Sequence, residues 1–158
     1  DAELEIIGPN GLRFLNINDL YLGYKKLNIS ETEIVTAIRI PKTESKFYLL
    51  KSSVRKDLDI AIVNLAVKYH LKKEINTNHS IIDSIELAIG GVGPTVMRLK
   101  AIEDFLKNKP FELDSFQLAS QLLENCIQPI SDVRATAEYR RLVSKNLLIK
   151  IFIDKKEE

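Results

Sequence analysis

The chain has 158 residues, of which 45% are hydrophobic and 28% are charged, as is ordinary for a globular protein with a real core. Its 23 basic and 22 acidic residues give a formal net charge of +1, so there is no general reason to expect nucleic acid or an anionic membrane as a partner. Since domains usually run to roughly 100–200 residues, we expect one compact unit or one domain with a short appendage.

The cysteine content and the apolar runs bound the cellular setting. Cys126 is the only cysteine, so the sequence predicts neither an internal disulfide nor a thiolate metal site. A reducing, cytoplasmic compartment is the simplest interpretation. No apolar run approaches the roughly 20 residues that a bilayer span needs, and we expect no signal peptide at the start of the chain. Because the first residue is Asp1 rather than Met, we expect a fragment of a longer polypeptide.

The first part of the chain is predicted to form short strands and turns. A β-prone run over Glu3–Ile7 meets a Gly-Pro-Asn-Gly turn, and Leu12–Leu15 returns as the second strand of a hairpin. Asn18 is expected to cap a short helical turn over Asp19–Leu22. The β-branched run Glu33–Ile40 predicts a further strand that ends at a proline.

The polar segment Lys42–Lys46 is the strongest candidate for a domain boundary. Behind it, strands are predicted at Phe47–Ser53, Ile60–Lys72 and Ile81–Ile89. The second of these alternates apolar and polar residues with period two, which favours a half-buried strand over the helix that its apolar spacing also fits. The linker Glu74–Ser80 suits a hairpin loop.

Three helices are predicted in the last third of the chain. Thr95 is expected to cap the first, Asp114 or Ser115 to begin the second, and Ser131 or Asp132 to cap the third. Strands followed by helices predict an α+β fold, in which a three-stranded antiparallel sheet is packed with three helices behind a short β-rich segment.

Few residues indicate a metal or catalytic site. His70 and His79 lack the further ligands that a zinc or iron site needs, so no metal is expected. The turn Gly90–Pro94 admits a phosphate-binding interpretation, because backbone N–H groups at a helix N-terminus bind anions. A tight turn that needs positive φ is favoured, since the standard phosphate-loop spacings are missing. No nucleophile and base can be paired, so no catalytic residue is assigned.

A charged cluster lies between the first two strands of the predicted sheet. Its members are Lys51, Arg55, Lys56, Asp57 and Asp59. The Arg55 guanidinium suits a carboxylate or a phosphate. A charged hairpin loop with local ion pairs, each worth about 0–1 kcal/mol, explains the same residues, and the residues alone slightly favour it.

Distinctive motifs occur at Val54–Asn64, Ile89–Thr95 and Ser131–Arg141. These segments resemble motifs of the flavin subunits of molybdenum hydroxylases, the xanthine dehydrogenase and carbon monoxide dehydrogenase group. Val54–Asn64 resembles their R-[RK]-x-x-D-I-A-x-V stretch, and Ile89–Thr95 opens a segment that resembles their G-G-[VM]-x-P element. Ser131–Arg141 is similar to their final-helix signature, S-D-x-R-[GA]-[ST]-A-E-Y-R. Upstream, Leu22–Lys26 and Glu33–Val35 resemble the end of the family's flavin-binding domain.

The resemblance implies that residues 1–41 end an FAD-binding domain and that residues 42–158 form an α+β C-terminal domain. It implies an oxidoreductase in which FAD takes electrons from iron–sulfur clusters, reduced in turn by a molybdenum centre, and passes them to NAD as the expected acceptor. The implied partners are an iron–sulfur subunit or domain, a molybdopterin subunit or domain, and the upstream FAD-binding half.

The resemblance also implies site residues by position. Those matched to the cofactor are Val35, Lys51 and Tyr24. Those matched to a loop beside the isoalloxazine face are Arg55, Lys56, Asp57 and Asp59. Lys51 is expected to place a cation where it stabilises negative charge on the reduced flavin, and the loop to tune potential and NAD access. Some relatives carry an acid where this chain has Leu58, which leaves the oxidant preference open.

The family's glycine-rich pyrophosphate-binding loops have no counterpart in this chain. We therefore expect the chain alone to bind FAD weakly or not at all, and to be inactive by itself. An alternative function is an assembly module that docks the flavin subunit onto its partners. Substituting Lys51 and Asp57 separates the two, because lost NAD reduction in an intact complex favours the redox role. An unrelated nucleotide-binding α/β domain is a third interpretation, supported by the glycine turn alone.

Overall fold

The computed structural model describes residues 2–73 and 80–156 and divides into two compact units, Asp1–Glu44 and Ser45–Glu158. The predicted hairpin loop, apart from Ser80, lies outside the described residues, as does His79.

The first unit is built from short antiparallel strands. Its three-stranded sheet has the order β2-β1-β5, and β3 and β4 form a separate ribbon. The strands are β1 (Glu3–Gly8), β2 (Gly11–Asn16), β3 (Tyr21–Gly23), β4 (Lys26–Leu27) and β5 (Ile34–Arg39). The predicted hairpin and the later β-branched strand are confirmed.

The predicted helical turn was misplaced. A 3₁₀ turn spans Ile17–Asp19, and its cap is Asn16, whose Oδ1 accepts the Asn18 N–H at 2.9 Å. The Asn16 side chain satisfies the free amide first, so the turn begins earlier than predicted. Tyr21–Gly23 is then available to pair with Lys26–Leu27.

Glu33 anchors the chain just before β5. Its carboxylate accepts Arg13 Nε at 2.6 Å and the Ser30 N–H at 2.8 Å. The Arg13 hydrogen bond, followed by that of Ser30, lowers the pKa of Glu33 from 4.5 to about 2.

These bonds predict an acid-sensitive turn. A carboxyl whose folded pKa is depressed stabilises the fold above its unfolded pKa, and this contribution is lost as the pH falls through the folded value. This stabilisation is therefore expected to be lost between pH 4.5 and about 2. The amide NMR signal of Ser30, followed against pH, is expected to titrate near the lower value, and Glu33→Gln is expected to abolish that titration. A Ser30 signal that titrates near 4.5 would contradict the assignment, and Glu31→Gln on the exposed neighbour is the control.

The second unit contains an antiparallel sheet of order β6-β7-β8-β9. The strands are β6 (Lys46–Ser52), β7 (Val63–Lys73), β8 (Ser80–Gly90) and β9 (Met97–Arg98). The odd positions of β7 from Val63 to Tyr69 are buried and the even ones are more exposed, so the predicted period-two strand is confirmed. Its predicted start at Ile60 is wrong, because the strand begins at Val63. The sheet gains a short fourth strand, β9, that was not predicted.

A bulge in β8 explains an acid at an apolar position of the pattern. His70 pairs with Ser84 and Leu71 pairs with Ile82, so Asp83 has no directly opposite partner in β7. The extra residue shifts the alternation by one position. Ile82 is therefore buried, and Asp83 turns outward to Lys72 at 3.0 Å.

Three helices complete the fold. They are α1 (Lys100–Leu106), α2 (Leu113–Leu122) and α3 (Ala137–Lys156). The predicted cap at Thr95 is wrong, because Met97 and Arg98 first pair with β8 and the helix starts only after Leu99.

The predicted caps of α3 are right only in part. Ser131 Oγ accepts the Ala137 N–H at 2.9 Å, as a capping side chain does. Asp132 instead binds amides within its own loop, and Thr136 Oγ1 accepts the Tyr139 N–H at 3.2 Å. The loop thus runs to Thr136 before the helix begins.

The helices cover one face of the second unit's sheet, and the predicted α+β fold is confirmed. Inward side chains of β6, β7 and β8 form one core with the apolar faces of the helices. The largest fully buried members in this unit are Tyr69, Phe116, Leu65, Ile82, Leu87, Ile89, Leu99, Ile102, Leu106, Leu123 and Leu148. Within residues 2–73 and 80–156, no helix has the length and apolar content that crossing a bilayer requires.

Candidate functional site

The charged cluster of the sequence lies on the connection between β6 and β7. We call this connection, residues 53–62, the flavin-side loop, after the position that the resemblance predicts for it, and its place beside a flavin stays a prediction. Its base is closed by the Ile62 N–H, which donates to Ser52 O at 2.7 Å directly beside the Ser52–Val63 pair of the sheet. The two strands therefore fix both ends of the loop.

Asp59 organises the interior of the flavin-side loop. Its Oδ2 accepts the Arg55 N–H at 2.8 Å, and its Oδ1 accepts the Ile60 N–H at 2.9 Å. The Arg55 backbone bond is the largest cause of a lowered pKa for Asp59, to which the Ile60 bond adds against the opposing effect of desolvation. Asp59 is therefore ionised at neutral pH and serves as a structural acceptor within the loop.

Two cations join Asp59. Lys51 Nζ donates to Asp59 O at 2.9 Å, and Arg55 Nη2 donates to Leu58 O at 3.1 Å. The Arg55 guanidinium also lies 3.8 Å from the Asp59 carboxylate. The structure thus brings Lys51, Arg55 and Asp59 together, and part of each cation's hydrogen-bonding capacity serves the loop itself.

An open depression adjoins this cluster. Lys51, Arg55 and Lys56 line it together with two serines and Leu147. Lys56 and Asp57 are both exposed. Three cationic side chains beside one depression make its chemistry suitable for an anionic ligand.

Leu58 is the unusual residue of the flavin-side loop. Its φ is +50°, and the residue is 95% exposed. A leucine in the left-handed region costs about 1–2 kcal/mol, and exposure gives no burial in return. The bonds made by Arg55 and Asp59 on either side of Leu58 hold this conformation, which no sequence pattern predicted.

The other two residues matched to the cofactor lie in the first unit. Val35 stands on β5 opposite Ile6 and is partly exposed. Tyr24 is exposed, with Lys25 Nζ 5.4 Å from its ring centroid. Their roles at FAD stay predictions.

The glycine turn is a tight turn and not a phosphate loop. Gly91 has a φ of +84°, and the chain continues into β9 before any helix begins. Without a helix N-terminus directly behind it, the turn lacks the geometry that the phosphate-binding interpretation required.

Arg140 joins the three motifs in space. Its Nη1 donates to Ile62 O at 2.6 Å and to Gly91 O at 2.9 Å, and its Nη2 donates to Asp132 Oδ1 at 2.8 Å. The end of the flavin-side loop, the glycine turn and the loop before α3 thus meet at one guanidinium. The sequence placed Arg140 within a motif but gave it no role.

Comparison with known proteins identifies the family. Residues 48–154 match the family described as CO dehydrogenase flavoprotein C-terminal domain. The chain is 30% identical over 143 residues to the xanthine dehydrogenase FAD-binding subunit of Escherichia coli O157:H7, covering 89% of this chain and 47% of that protein.

Solved structures show the same fold. The chain resembles quinoline 2-oxidoreductase from Pseudomonas putida 86 with a TM-score of 0.86 and 19% identity, over 97% of this chain and 51% of that one. It also resembles the carbon monoxide dehydrogenase of Hydrogenophaga pseudoflava that lacks the Mo-pyranopterin moiety. The TM-score is 0.82 and the identity 24%, and the match covers 95% of this chain and 50% of that one.

The chain belongs to the CO dehydrogenase flavoprotein C-terminal domain family, and the resemblance stated from its motifs is confirmed. It spans about half the length of the FAD-binding subunit that it matches.

Proposed function

We propose that this chain is the C-terminal part of the FAD-binding subunit of a xanthine dehydrogenase-like molybdenum hydroxylase. In this proposal residues 1–41 end the FAD-binding domain and residues 42–158 form the C-terminal domain. The flavin relays electrons from iron–sulfur clusters to NAD in the cytoplasm. The observation that carries the proposal is the Lys51–Arg55–Asp59 cluster beside an open cationic depression, in a chain related to FAD-binding subunits.

The residues of the cluster fit a flavin that gains negative charge on reduction. Bound FAD supplies the redox chemistry, and the protein binds, orients and tunes it. One hydrogen of the Lys51 ammonium is used by Asp59 O, which leaves two donors that can face a ligand. Arg55 and Lys56 add positive charge that attracts the phosphates of NAD. Asp59 keeps the loop in the shape that presents these cations.

The upstream FAD-binding half is the first partner in this proposal. Every residue of β5 is exposed, including Ile34 and Ile38. Among the described residues of the first unit, 2–44, the buried hydrophobic residues are Leu4 and Ile6. A unit of this size rarely buries enough surface to be stable alone. The upstream half therefore supplies both the missing cover and the pyrophosphate contacts, and iron–sulfur and molybdopterin subunits complete the electron path.

Docking is the second candidate function, and one surface favours it. On the face of the sheet opposite the helices, Leu49 is 76% exposed and Phe47 is also exposed. Solvent-exposed large apolar side chains on one face are typical of protein interfaces. In this alternative the chain has no chemistry of its own and joins the flavin subunit to its partners.

A visible absorption titration with FAD tests the redox proposal. The chain extended upstream through the FAD-binding half is expected to hold stoichiometric FAD, while the 158-residue chain alone binds weakly or not at all and is inactive. In the extended protein, Lys51→Met is expected to lower the reduction potential of the flavin by on the order of 30 mV, equivalent to about 1.4 kcal/mol of lost charge stabilisation.

Lys107→Met, on an exposed lysine of α1's C-terminal end, is the matched control and is expected to leave the potential unchanged. If the extended protein holds no flavin, the redox proposal fails and docking becomes the better account. Tight FAD on the short chain alone would contradict the stated need for the upstream half.

A further inference from the structure

Arg140 occupies a position that its own helix does not favour. It lies in the first turn of α3, where the helix dipole is positive and a cation is destabilising. It is also 6% exposed, although arginine is seldom buried without a partner. A residue that conflicts with its local environment needs a reason elsewhere in the fold.

The reason is a close approach of two backbone carbonyls. One nitrogen, Nη1, donates both to Ile62 O and to Gly91 O. The positive φ of Gly91 and its missing side chain allow this approach, because a Cβ there would lie 2.3 Å from Ile62 O. Two carbonyl dipoles that point at one site repel each other unless a cation lies between them.

Asp132 completes the arrangement. Its Oδ1 accepts Arg140 Nη2 and also the amides of Arg134 and Ala135, so the buried guanidinium faces a carboxylate that is itself fixed. Arg140 Nε is buried without a hydrogen-bond partner in the described part of the chain. The guanidinium is thus placed by its two terminal nitrogens, at the cost of one unsatisfied donor.

We propose that Arg140 is a positioning residue for the flavin-side loop, because its guanidinium fixes the Ile62 carbonyl at the point where the loop enters β7. The loop's other end is set by β6, and Lys51 and Asp59 are joined across it. A lysine at position 140 keeps the charge but lacks the planar fork that reaches two carbonyls and a carboxylate together. Arg140 therefore acts on the cofactor site through the backbone of the loop.

The test compares Arg140→Lys with Arg134→Lys in the subunit extended through the FAD-binding half. Arg134 is exposed and its guanidinium lies 3.8 Å from the Asp132 carboxylate, in the loop before α3. It therefore tests that loop without a bond to Ile62. In the flavin-free protein, amide hydrogen exchange at Arg55, Ile60 and Ile62 is expected to accelerate on the order of ten- to a hundredfold in Arg140→Lys, the range for loss of charged hydrogen bonds. Arg134→Lys is expected to exchange like the wild type.

The properties of the bound flavin provide a second readout, which a purely structural role of Arg140 would leave unchanged. With FAD bound, Arg140→Lys is expected to shift the reduction potential and the visible absorption maximum, while Arg134→Lys and the core variant Ile102→Val leave both unchanged. This part rests on the proposed function. If the wild-type extended subunit fails to bind FAD, the proposed function fails, yet hydrogen exchange still decides the role of Arg140.

Asp132→Asn provides a second route if Arg140→Lys does not fold. The amide keeps an oxygen for Arg140 and removes only the charge, so a smaller acceleration at the same three amides is expected. Loop exchange that matches the wild type in a folded Arg140→Lys or Asp132→Asn protein overturns the proposal. Acceleration of equal size in Ile102→Val overturns it as well, because the effect would then follow global stability.

Discussion

Replacing Gly91 by alanine is expected to lower the free energy of unfolding of the second unit by about 4 kcal/mol, near the upper end for a single substitution. A left-handed backbone costs a non-glycine residue about 1–2 kcal/mol. The larger part comes from the new Cβ, which would lie 2.3 Å from Ile62 O and 3.2 Å from its carbonyl carbon. Both are backbone atoms, so no side chain can rotate away. Urea unfolding followed by circular dichroism measures the loss.

Gly93→Ala is the matched control in the same turn. Its new Cβ would meet the Met97 sulfur at 2.6 Å, and the end of a flexible methionine moves at little cost. If Gly91→Ala loses no more stability than Gly93→Ala, the close approach of Ile62 to the glycine turn is wrong.

The period-two alternation of β7 was a strong sequence signal because one face of the strand is buried and the other is not. A periodic sequence pattern no longer predicts which side chains are buried where a single inserted residue shifts the alternation. The bulge at Asp83 and the two-residue strand β9 are set by pairing between distant segments, and β9 is too short to carry a period. Helix starts were misplaced for a related reason. The Thr95 side chain can cap a helix, but the residues that follow it, Met97 and Arg98, pair with β8 before any helix begins.

The candidate site divides in the same way. Lys51, Arg55 and Asp59 lie within nine residues, so a hairpin connection between two strands necessarily places them near one another. The Arg140 bonds span 78 and 49 residues, and no local pattern predicts them. Leu58 shows the same limit, because its positive φ follows from hydrogen bonds of its neighbours and not from its own preference.

The second large effect on the free energy of unfolding is expected for substitutions of Glu103. It is 7% exposed, and its carboxylate accepts the Leu87 N–H at 2.8 Å and Arg98 Nε and Nη2 at 2.9 and 3.0 Å. Leu87 lies one residue before the short pairing of β8 with β9, so the edge strand β9 does not supply an acceptor for the Leu87 N–H. The Glu103 carboxylate supplies it. Burial opposes ionisation of Glu103, but the hydrogen bonds from Arg98 and Leu87 outweigh it and hold the pKa below its ordinary value.

Glu103→Ala is therefore expected to cost about 3–5 kcal/mol of the free energy of unfolding, because a mostly buried guanidinium loses two short bonds and a buried amide loses its acceptor. Glu103→Gln is expected to cost less, since its amide oxygen can still accept the Leu87 N–H. Glu124→Ala is the control, because Glu124 pairs with Lys145 at a position where its side chain is 55% exposed, and about 1 kcal/mol or less is expected.

The pH dependence of the Glu103 variants separates charge from shape. Since the folded pKa of Glu103 is depressed, its ionic contribution is complete at neutral pH and is lost as the pH falls through the folded value. The difference in unfolding free energy between wild type and Glu103→Gln is therefore expected to narrow in acid, while the cost of Glu103→Ala retains its packing and hydrogen-bond part. A gap between wild type and Glu103→Gln that stays constant from neutral pH into acid would mean that the Arg98–Glu103 pair contributes through shape alone.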